Sequence, residues 1–368
     1  MELSVTKSNL QKAVHAVQKA VSTKPTLEIL RNIGLKASNG ILRISATDLE
    51  ISISTFIGVD LFAEGSTTVS AKTFADFISL LPEGNIRLKM VDNELKVEAE
   101  KTTSKFSTIP YDEFPTLPTI NEDASLLFKA DKEMFKKALS LTTFVADRGI
   151  RQPVFSGILF EASPQKLQLV ATDGFRLSKY GVPVQEDVEQ KITPVVPYVS
   201  LDHVVRLGED SDDENVEVYL VSKNNQILFK TGRTEISSNL LDGDFPNYNA
   251  ILPQKHICSY RVHRDELMDS VRLSNVFSRQ EDASRIKFKK QAGETQLTLF
   301  SRVAEIGEYE SQVQVEIINE EDSIEIDFSP KKVIDILSRV TTEQLIIDVV
   351  LHPRTEHRMI IVKEEGND

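Results

Sequence analysis

The stretch Val170-Ala171-Thr172-Asp173-Gly174-Phe175-Arg176-Leu177 decides how this chain is organised. An apolar, strand-like segment leads into it, and the glycine at its centre permits a sharp change of backbone direction. The same Ala-Thr-Asp triplet begins earlier at Ala46, and the two triplets lie 125 positions apart. That separation is the length of a small domain, so it predicts an internal repeat.

The pattern of helices and strands restarts twice along the chain. Apolar residues at helical spacing predict first helices over 6–22, 131–146 and 264–277. Strand-like segments follow each of them, and a second helix is then predicted over 71–81, 199–207 and 331–340. The number of residues between the start of the first helix and the start of the second is nearly the same each time. We therefore predict three copies of one α+β unit, as domains over 1–120, 125–250 and 256–368.

The third copy differs from the others at its end. Copies one and two each carry three strand-like segments after the second helix and then a Phe-Pro linker. Copy three carries only two such segments, 345–350 and 358–363, before the polar sequence 364–368. The sequence therefore predicts that copy three lacks its last strand.

Composition excludes several classes of protein. The 368 residues are 40% hydrophobic and 27% charged, as in ordinary globular proteins. No apolar run approaches the roughly 20 residues that span a bilayer, and the N-terminus does not resemble a signal peptide. Cys258 is the only cysteine, and the six histidines lack metal-ligand spacing. We expect a cytoplasmic protein with no membrane contact, no metal and no cofactor.

The charge is distributed unevenly. A net charge of −13 argues by itself against a nucleic-acid partner. Between Leu3 and Leu27, however, there is no acidic residue, while four lysines are present: Lys7, Lys12, Lys19 and Lys24. The first helix therefore offers a basic surface on an acidic protein.

The whole chain resembles the bacterial sliding clamp family, the beta subunit of DNA polymerase III. The resemblance is carried by five motifs in the family's order: 24–30 (KPTLEIL), 46–50 (ATDLE), 114–115 (FP), 171–177 (ATDGFRL) and 241–248 (LDGDFPNY). It implies an α+β fold of three clamp-type domains, each with two helices and antiparallel sheets. Two chains would join head to tail as a homodimer and form a six-domain ring, because a head-to-tail contact must close or polymerise.

The resemblance also implies a function without catalysis. Members of the family act as processivity factors that encircle double-stranded DNA without regard to sequence. They tether the alpha subunit of DNA polymerase III and other proteins with clamp-binding peptides, and a clamp loader complex places them on DNA. We expect the same partners here.

Three groups of residues follow from the resemblance. The family's peptide pocket, between the second and third domains, matches Phe155, Thr172, Gly174, Phe175, Arg176, Leu177, Pro246 and Ile251. Phe175 stands where many members carry histidine, and the strand that completes the family's pocket is the one that copy three lacks. The resemblance places DNA contact at Lys24, Arg148 and Arg151. Contact is also expected at other cations because they lie on or next to the predicted first helices: Lys7, Lys12, Lys19, Lys136, Lys137 and Arg279. At the dimer seam we expect Phe106, Arg272 and Leu273, with the edge of copy one over 104–109 pairing with an edge of copy three over 296–301.

Alternative interpretations of these residues are open. Asp48 and Asp173 could be catalytic carboxylates, although their recurrence between a strand and a turn favours a turn-capping role. The basic helix faces could be ordinary solvated surface, and Phe175 and Leu177 could be core residues. At the level of function, the alternatives are a clamp-like protein scaffold without DNA sliding and an enzyme with an unrecognised site.

Overall fold

The architecture described below is that of a computed structural model. It describes residues 1–22, 25–120, 123–147, 149, 152–185, 193–206, 213–253, 255–278, 285–303, 307–355 and 357–366. Within these residues the chain forms two compact units, Met1–Phe245 and Pro246–Asp368.

Each predicted repeat contains two amphipathic helices. Polar side chains fix where the first helices begin, since Thr6 accepts a hydrogen bond from the amide of Asn9 and Asp131 accepts one from the amide of Met134. The helices start within a few residues of the predicted positions and mostly end earlier. They are α1 (Lys7–Gln18), α2 (Ala71–Leu80), α3 (Lys132–Thr142), α4 (Tyr198–Val205), α5 (Arg264–Ser278) and α6 (Pro330–Leu337).

The strands of the first unit form antiparallel sheets in both repeats. In the first repeat they are β1 (Glu2–Thr6), β2 (Asn32–Ser38), β3 (Ile41–Thr47), β4 (Ile51–Gly58), β5 (Asp60–Ala63), β6 (Gly65–Ser70), β7 (Asn85–Val91), β8 (Glu94–Ala99) and β9 (Thr102–Ser107). In the second they are β10 (Ser125–Asp131), β11 (Gly157–Ser163), β12 (Lys166–Thr172), β13 (Leu177–Pro183), β14 (Val195–Pro197), β15 (Asn215–Val221), β16 (Gln226–Thr231) and β17 (Thr234–Asn239).

The second unit repeats this plan. Its strands are β18 (His256–His263), β19 (Ile286–Lys290), β20 (Gln296–Val303), β21 (Gly307–Glu320), β22 (Ile324–Phe328), β23 (Gln344–Leu351) and β24 (Arg358–Glu364). A strand directly precedes each helix, and the sequence analysis predicted none of these six. They are short or mixed in polarity, so their alternation is hard to distinguish from that of a loop.

One sheet joins the first two repeats. Its order is β10-β15-β16-β17-β4-β3-β2-β6, so the last strand of the second repeat, β17, pairs with the fourth strand of the first, β4. In this joint Ile236 lies opposite Ile53, and the hydroxyls of Ser52 and Ser237 are 2.6 Å apart. The shared sheet explains why residues 1–245 form a single compact unit, with an apolar core that extends through both repeats.

The other two sheets of the first unit end in uncovered strands. One has the order β5-β1-β7-β8-β9, and the other has the order β13-β12-β11-β14. Within the described residues, β9 therefore pairs only with β8, and β13 pairs only with β12. The predicted edge of copy one, over 104–109, overlaps β9.

The second unit corrects one prediction about the seam. Its sheet has the order β22-β19-β20-β21-β18-β23-β24, so β20 lies between β19 and β21 and both of its edges are used. The segment 296–301 belongs to β20 and is not an edge, contrary to the expectation from sequence. β21 is long and bonds to β20 through 307–314 and to β18 through 315–320. Within the described residues, no strand covers the outer side of 307–314, and the end strands β22 and β24 also have one uncovered edge each.

The end of the second unit agrees with the strand count from the sequence. In the described residues, β23 and β24 follow α6, whereas three strands follow α2 and three follow α4. Asp348 ties these two strands together because its buried carboxylate lies 3.1 Å from the Lys363 amine and accepts a hydrogen bond of 2.7 Å from Ser259.

Candidate peptide-binding and nucleic-acid surfaces

The turn between β12 and β13 is built by its own polar side chains. The carboxylate of Asp173 accepts hydrogen bonds from the amides of Phe175 and Arg176, at 2.9 and 2.8 Å. The hydroxyl of Thr172 donates to the carbonyl of Arg176 and accepts from the amide of Gly174. Gly174 has a φ of +82°, which favours glycine. The turn is therefore held in a single conformation that presents residues 174–177.

The first repeat contains the same turn. Asp48 accepts from the amides of Glu50 and Ile51, each at 2.9 Å, and Leu49 has a φ of +81°. The hydroxyl of Thr47 donates to the carbonyl of Ile51. Both aspartates thus cap turns, and the turn-capping interpretation is confirmed.

An apolar surface surrounds the second of these turns. The Phe175 side chain is 80% exposed, an unusual state for a phenylalanine. The ring of Phe155 packs 3.7 Å from the position that a Cβ would take at Gly174. Phe155 and Leu177 are half-buried. The structure thus brings Phe155, Gly174, Phe175 and Leu177 together, and Phe175 is a surface residue rather than part of the core.

The two polar residues predicted in the pocket already serve the turn. Thr172 is 8% exposed, and its hydroxyl is used in the hydrogen bonds described above. The guanidinium of Arg176 lies 3.2 Å from the carboxylate of Asp173 and 5.4 Å from the centre of the Phe144 ring. These contacts position the loop and hold the arginine side chain in place.

The remaining two pocket residues begin the second unit. Pro246 is exposed, and Ile251 is 39% exposed after a short helical turn, Tyr248–Ala250. The amide of Ile251 donates to the carbonyl of Tyr248 at 3.0 Å. Both residues therefore present apolar surface.

Helix α1 carries an exposed basic stripe. Lys12, His15 and Lys19 recur at helical spacing and are all exposed, while the opposite side of the helix packs into the core. Lys7 differs from them because it is 8% exposed and its amine lies 2.9 Å from the carboxylate of Glu83. The predicted role of Lys7 in DNA contact is thus poorly supported by its position.

The end of α4 carries a histidine and an arginine, His203 and Arg206. Burial lowers the pKa of His203 on α4, and the charge of Arg206 lowers it further, while Asp202 and Asp48 raise it and Lys19 lowers it. The charges of Lys19 and Asp48, both in the first repeat, therefore act on His203. Arg206 is exposed. The sequence analysis missed both residues, because the effect of Lys19 on a residue of the second repeat arises only in the folded chain.

Helix α3 contributes cations that are less exposed. The Lys136 side chain is 15% exposed, and its amine lies 3.7 Å from Glu133, while Lys137 is half-buried. The other predicted DNA contacts, Lys24, Arg148, Arg151 and Arg279, lie outside the described residues.

The predicted seam residues occupy two environments. Phe106 on β9 is 9% exposed and packs edge-to-face against Phe74 and Phe77 of α2. Leu273 on α5 is 56% exposed. Arg272 is also exposed, and its guanidinium lies 3.9 Å from Asp269 on the same helix.

Comparison with known families accounts for the threefold repeat. Models of the DNA polymerase III beta subunit match the chain three times, with the N-terminal domain over 1–118, the central domain over 129–247 and the C-terminal domain over 249–367. The chain belongs to this family. The family and the three-domain α+β fold predicted from sequence are thereby confirmed.

Similar proteins support this assignment along the full length. The beta sliding clamp of Halalkalibacterium halodurans is 29% identical over 344 residues, covering 90% of this chain and 88% of that protein. The beta sliding clamp of Pseudomonas putida is 28% identical and covers 100% of this chain and 97% of that protein. The crystal structure of the DNA polymerase III subunit beta from Pseudomonas aeruginosa gives a TM-score of 0.90 at 26% identity, covering 100% of this chain and 97% of that one. The predicted function as a DNA sliding clamp agrees with these relatives.

Neither a membrane-spanning helix nor a metal-ligand cluster occurs in the described residues. No helix there is long and apolar enough to cross a membrane. Those residues also contain no group of three histidine, cysteine or acidic side chains arranged to hold a metal ion.

Proposed function

We propose that this chain is a cytoplasmic, non-catalytic clamp that closes around duplex DNA as a head-to-tail homodimer. The observation that carries the proposal is the joint between its first two repeats. There the last strand of one repeat, β17, completes the sheet of the preceding repeat by pairing with its fourth strand, β4. The equivalent last strand of the first repeat is β9, and the equivalent fourth strand in the second unit is β21. Both present uncovered edges in the described residues.

The internal joint also provides a register for the seam between two chains. In the joint, Glu235 lies opposite Ser54. The hairpins β8–β9 and β20–β21 are aligned on β16–β17 and β3–β4 of the internal joint by matching the side chains that face the helices. In that alignment, the same register places Lys105 of β9 opposite Glu308 of the partner's β21. Both side chains are exposed, and their charges are complementary. A closed pair of chains satisfies the two edges that would otherwise invite aggregation.

Duplex DNA is the proposed ligand of the helical surface. Lys12 on α1 and Lys19 at its C-terminal cap are exposed, and Arg206, directly after α4, is exposed as well. Long lysine side chains contact phosphates without reading base sequence, so binding of this kind is weak, salt-dependent and compatible with sliding. The remaining predicted contacts, Lys24, Arg148, Arg151 and Arg279, belong to the same proposal.

Partner proteins are proposed to bind at the apolar surface of Phe155, Gly174, Phe175 and Leu177. Their ligand would be a short peptide of the Gln-Leu-x-Leu-Phe kind, carried by the polymerase alpha subunit, by the clamp loader or by other clamp-binding proteins. A leucine or phenylalanine side chain gains roughly 1.5–3 kcal/mol on full burial, and ordering of the peptide offsets part of this gain. Affinity in the micromolar range, on the order of −8 kcal/mol, is the expected result.

A topological experiment tests the proposed function. The protein is loaded by a bacterial clamp loader onto a nicked circular plasmid, and the complex is isolated by gel filtration in 0.5 M salt. A ring stays on the circle, because salt screens the phosphate contacts but does not open the ring. It leaves when the plasmid is cut once by a restriction enzyme. Equal loss from circular and linear DNA would contradict encirclement and favour a scaffold that does not slide on DNA.

A further inference from the structure

The outer edge of β13 is uncovered in the described residues, whereas the equivalent edge of β4 in the first repeat pairs with another strand. The hairpins β3–β4 and β12–β13 have the same register, since Thr47 lies opposite Ser52 and Thr172 lies opposite Leu177. The second edge of β4 is covered by β17. In the described residues β13 is the outer strand of its sheet, with only β12 beside it. The same backbone that accepts a strand in the first repeat is thus uncovered in the second.

The filled edge shows which backbone groups of β4 accept its neighbour. The amide of Phe56 donates to the carbonyl of Arg233 at 2.9 Å, and the amide of Asn239 donates to the carbonyl of Glu50 at 3.0 Å. Antiparallel strands alternate the side to which they turn their backbone groups. Every second residue of β4, counted from Glu50 to Phe56, therefore faces β17.

The same alternation identifies the outward backbone groups of β13. The equivalents of Ser52 and Phe56 are Leu177 and Gly181, so their amides and carbonyls turn away from β12. Arg176 faces the opposite way, since its carbonyl accepts a hydrogen bond from the amide of Asp173 within the hairpin. Unlike an ordinary loop, the edge next to Phe175 can therefore hold a peptide by its main chain.

We propose that an extended segment of a partner protein adds to β13 as an antiparallel strand, with apolar side chains beside Phe175 and Leu177 and an acidic side chain beside Lys179. The inference rests on the proposed partner-binding function and specifies how the main chain of the partner is held. Strand addition gives affinity through the backbone, while side chains on one face give specificity. Phe175, at 80% exposure, lies directly next to this edge and supplies the apolar contact.

The chemistry of the added strand follows from the filled edge. Lys179 occupies the position of Ser54, whose partner across the joint is Glu235. An acidic residue is accommodated there in the first repeat, and it is matched in charge by Lys179 in the second. A second copy of the chain is the weaker occupant, because its uncovered strand β9 is matched in charge to β21.

The acetylated and amidated peptide Asp-Gln-Leu-Ser-Leu-Phe is a suitable probe. In the register of the internal joint, its first residue lies opposite Lys179, its third opposite Leu177 and its fifth opposite Phe175. The odd-numbered amides of the peptide then face β13, and the even-numbered amides face away. N-methylation of the third residue removes a ladder hydrogen bond, whereas N-methylation of the fourth removes none.

Binding of the three peptides is measured by titration calorimetry with the full chain. We expect methylation at the third residue to weaken binding about tenfold or more, and methylation at the fourth to change it less than threefold. Amide hydrogen exchange supplies a second measurement. The amides of Leu177 and Lys179, which turn outward and lie opposite the third and first residues of the peptide, should exchange at least tenfold more slowly with the unmodified peptide, and the amide of Tyr180, which faces β12, should not change.

The outcomes separate this inference from the function on which it rests. If the unmodified peptide binds and both methylated peptides bind equally well, or equally badly, strand addition is wrong while partner binding stands. Slow exchange of Leu177 and Lys179 before the peptide is added would show that the edge is already covered, and would also overturn the inference. If the unmodified peptide does not bind, the proposed partner-binding function fails together with it.

Discussion

The two matching turns, after β3 and after β12, share the role of one residue and differ at the next. Asp48 and Asp173 make the same pair of hydrogen bonds to backbone amides two and three positions ahead. A catalytic carboxylate would need its oxygens free for a substrate, whereas these oxygens define the loop. The neighbouring positions differ, because Leu49 and Gly174 hold nearly the same positive φ with different side chains.

Replacement of Gly174 by alanine tests the backbone strain at this turn. At a φ of +82° a Cβ costs about 1–2 kcal/mol, so Gly174→Ala should lower the stability by that amount. Leu49→Ala is the matched control. Leu49 already has a side chain at this positive φ, so its replacement should lower the stability by less than about 1 kcal/mol. Urea denaturation of both variants at one protein concentration measures the difference. Equal losses would show that the turn relaxes.

Leu177 tests the proposed peptide site. Leu177→Asp should abolish measurable binding of a Gln-Leu-x-Leu-Phe peptide in calorimetry, because the peptide would have to desolvate a carboxylate without a partner. Leu126 on β10 is 40% exposed and lies elsewhere, so Leu126→Asp is a control that should leave affinity unchanged. Unaltered binding to Leu177→Asp would place the peptide site elsewhere.

Glu235, at the joint of the first two repeats, makes the stability of the protein depend on pH. Burial raises its pKa, and the charges of Arg43 and Lys230 only partly oppose this. The carboxyl group of Glu235 therefore keeps its proton to a higher pH in the folded state than in the unfolded state. Its contribution to the free energy of unfolding falls as the pH rises above about 4.5. Glu235→Gln should raise the melting temperature at pH 7 and change it little at pH 4.

Glu217 is the opposite case and serves as the control. Burial raises its pKa, but the hydrogen bond from Tyr219 and the charges of Lys230 and Lys129 outweigh this, so the net pKa is lowered. Its contribution is present above the unfolded pKa and is lost as pH falls. Glu217→Gln should therefore lower the melting temperature at pH 7, and a change of the same sign in both variants would contradict the assignment.

At the scale of elements, the sequence allowed some features to be predicted and not others. Helices such as α1 and α3 were predictable because apolar residues recur along one face and a polar side chain caps the first turn. Strand β20 was predictable as a strand, but its place between β19 and β21 was not. Alternation shows which residues face the core and carries no information about which strand lies alongside.

The candidate site was predictable for a different reason. Residues 171–177 are contiguous, so the turn and its apolar side chains could be identified from one motif. Lys19 lies in the first repeat and His203 and Arg206 lie in the second, so the effect of the Lys19 charge on His203 arises only in the folded chain. Lys7 illustrates the converse, since its spacing placed it among the basic residues while folding paired it with Glu83.

The exposed stripe of α1 leads to a prediction about DNA. Lys12→Glu combined with Lys19→Glu should weaken binding to a 30-base-pair duplex and flatten its salt dependence, since each lost phosphate contact removes about 0.9 from the log–log slope. Fluorescence anisotropy at several salt concentrations measures both effects. The double variant Lys36→Glu/Lys166→Glu carries the same charge change at exposed positions on sheets and should bind as the parent does. Identical curves for the two double variants would remove α1 from the DNA surface.

The assembly of the whole molecule depends on whether two chains join by the same kind of strand pairing that joins the first two repeats. The first two repeats are held by strand pairing with a definite register, and the proposed seam between β9 and β21 repeats that register. This places a lysine of one chain against a glutamate of the other at each of two seams. In the same chain, the Lys105 amine also lies 2.8 Å from Glu94.

Charge reversal tests the seam. Lys105→Glu alone should weaken the dimer, because it sets a third carboxylate beside Glu94 and the partner's Glu308, and Glu308→Lys alone should weaken it through the opposite repulsion. Exposed ion pairs contribute about 0.2–1 kcal/mol each, so the two equivalent seams together should change the dimer constant roughly two- to thirtyfold. The combined variant should recover most of that loss. Lys36→Glu, an exposed reversal on β2, should not change it. Sedimentation equilibrium or light scattering at micromolar concentration measures the constants. A parent protein that is monomeric there would contradict the dimer, and additive losses in the combined variant would contradict the register.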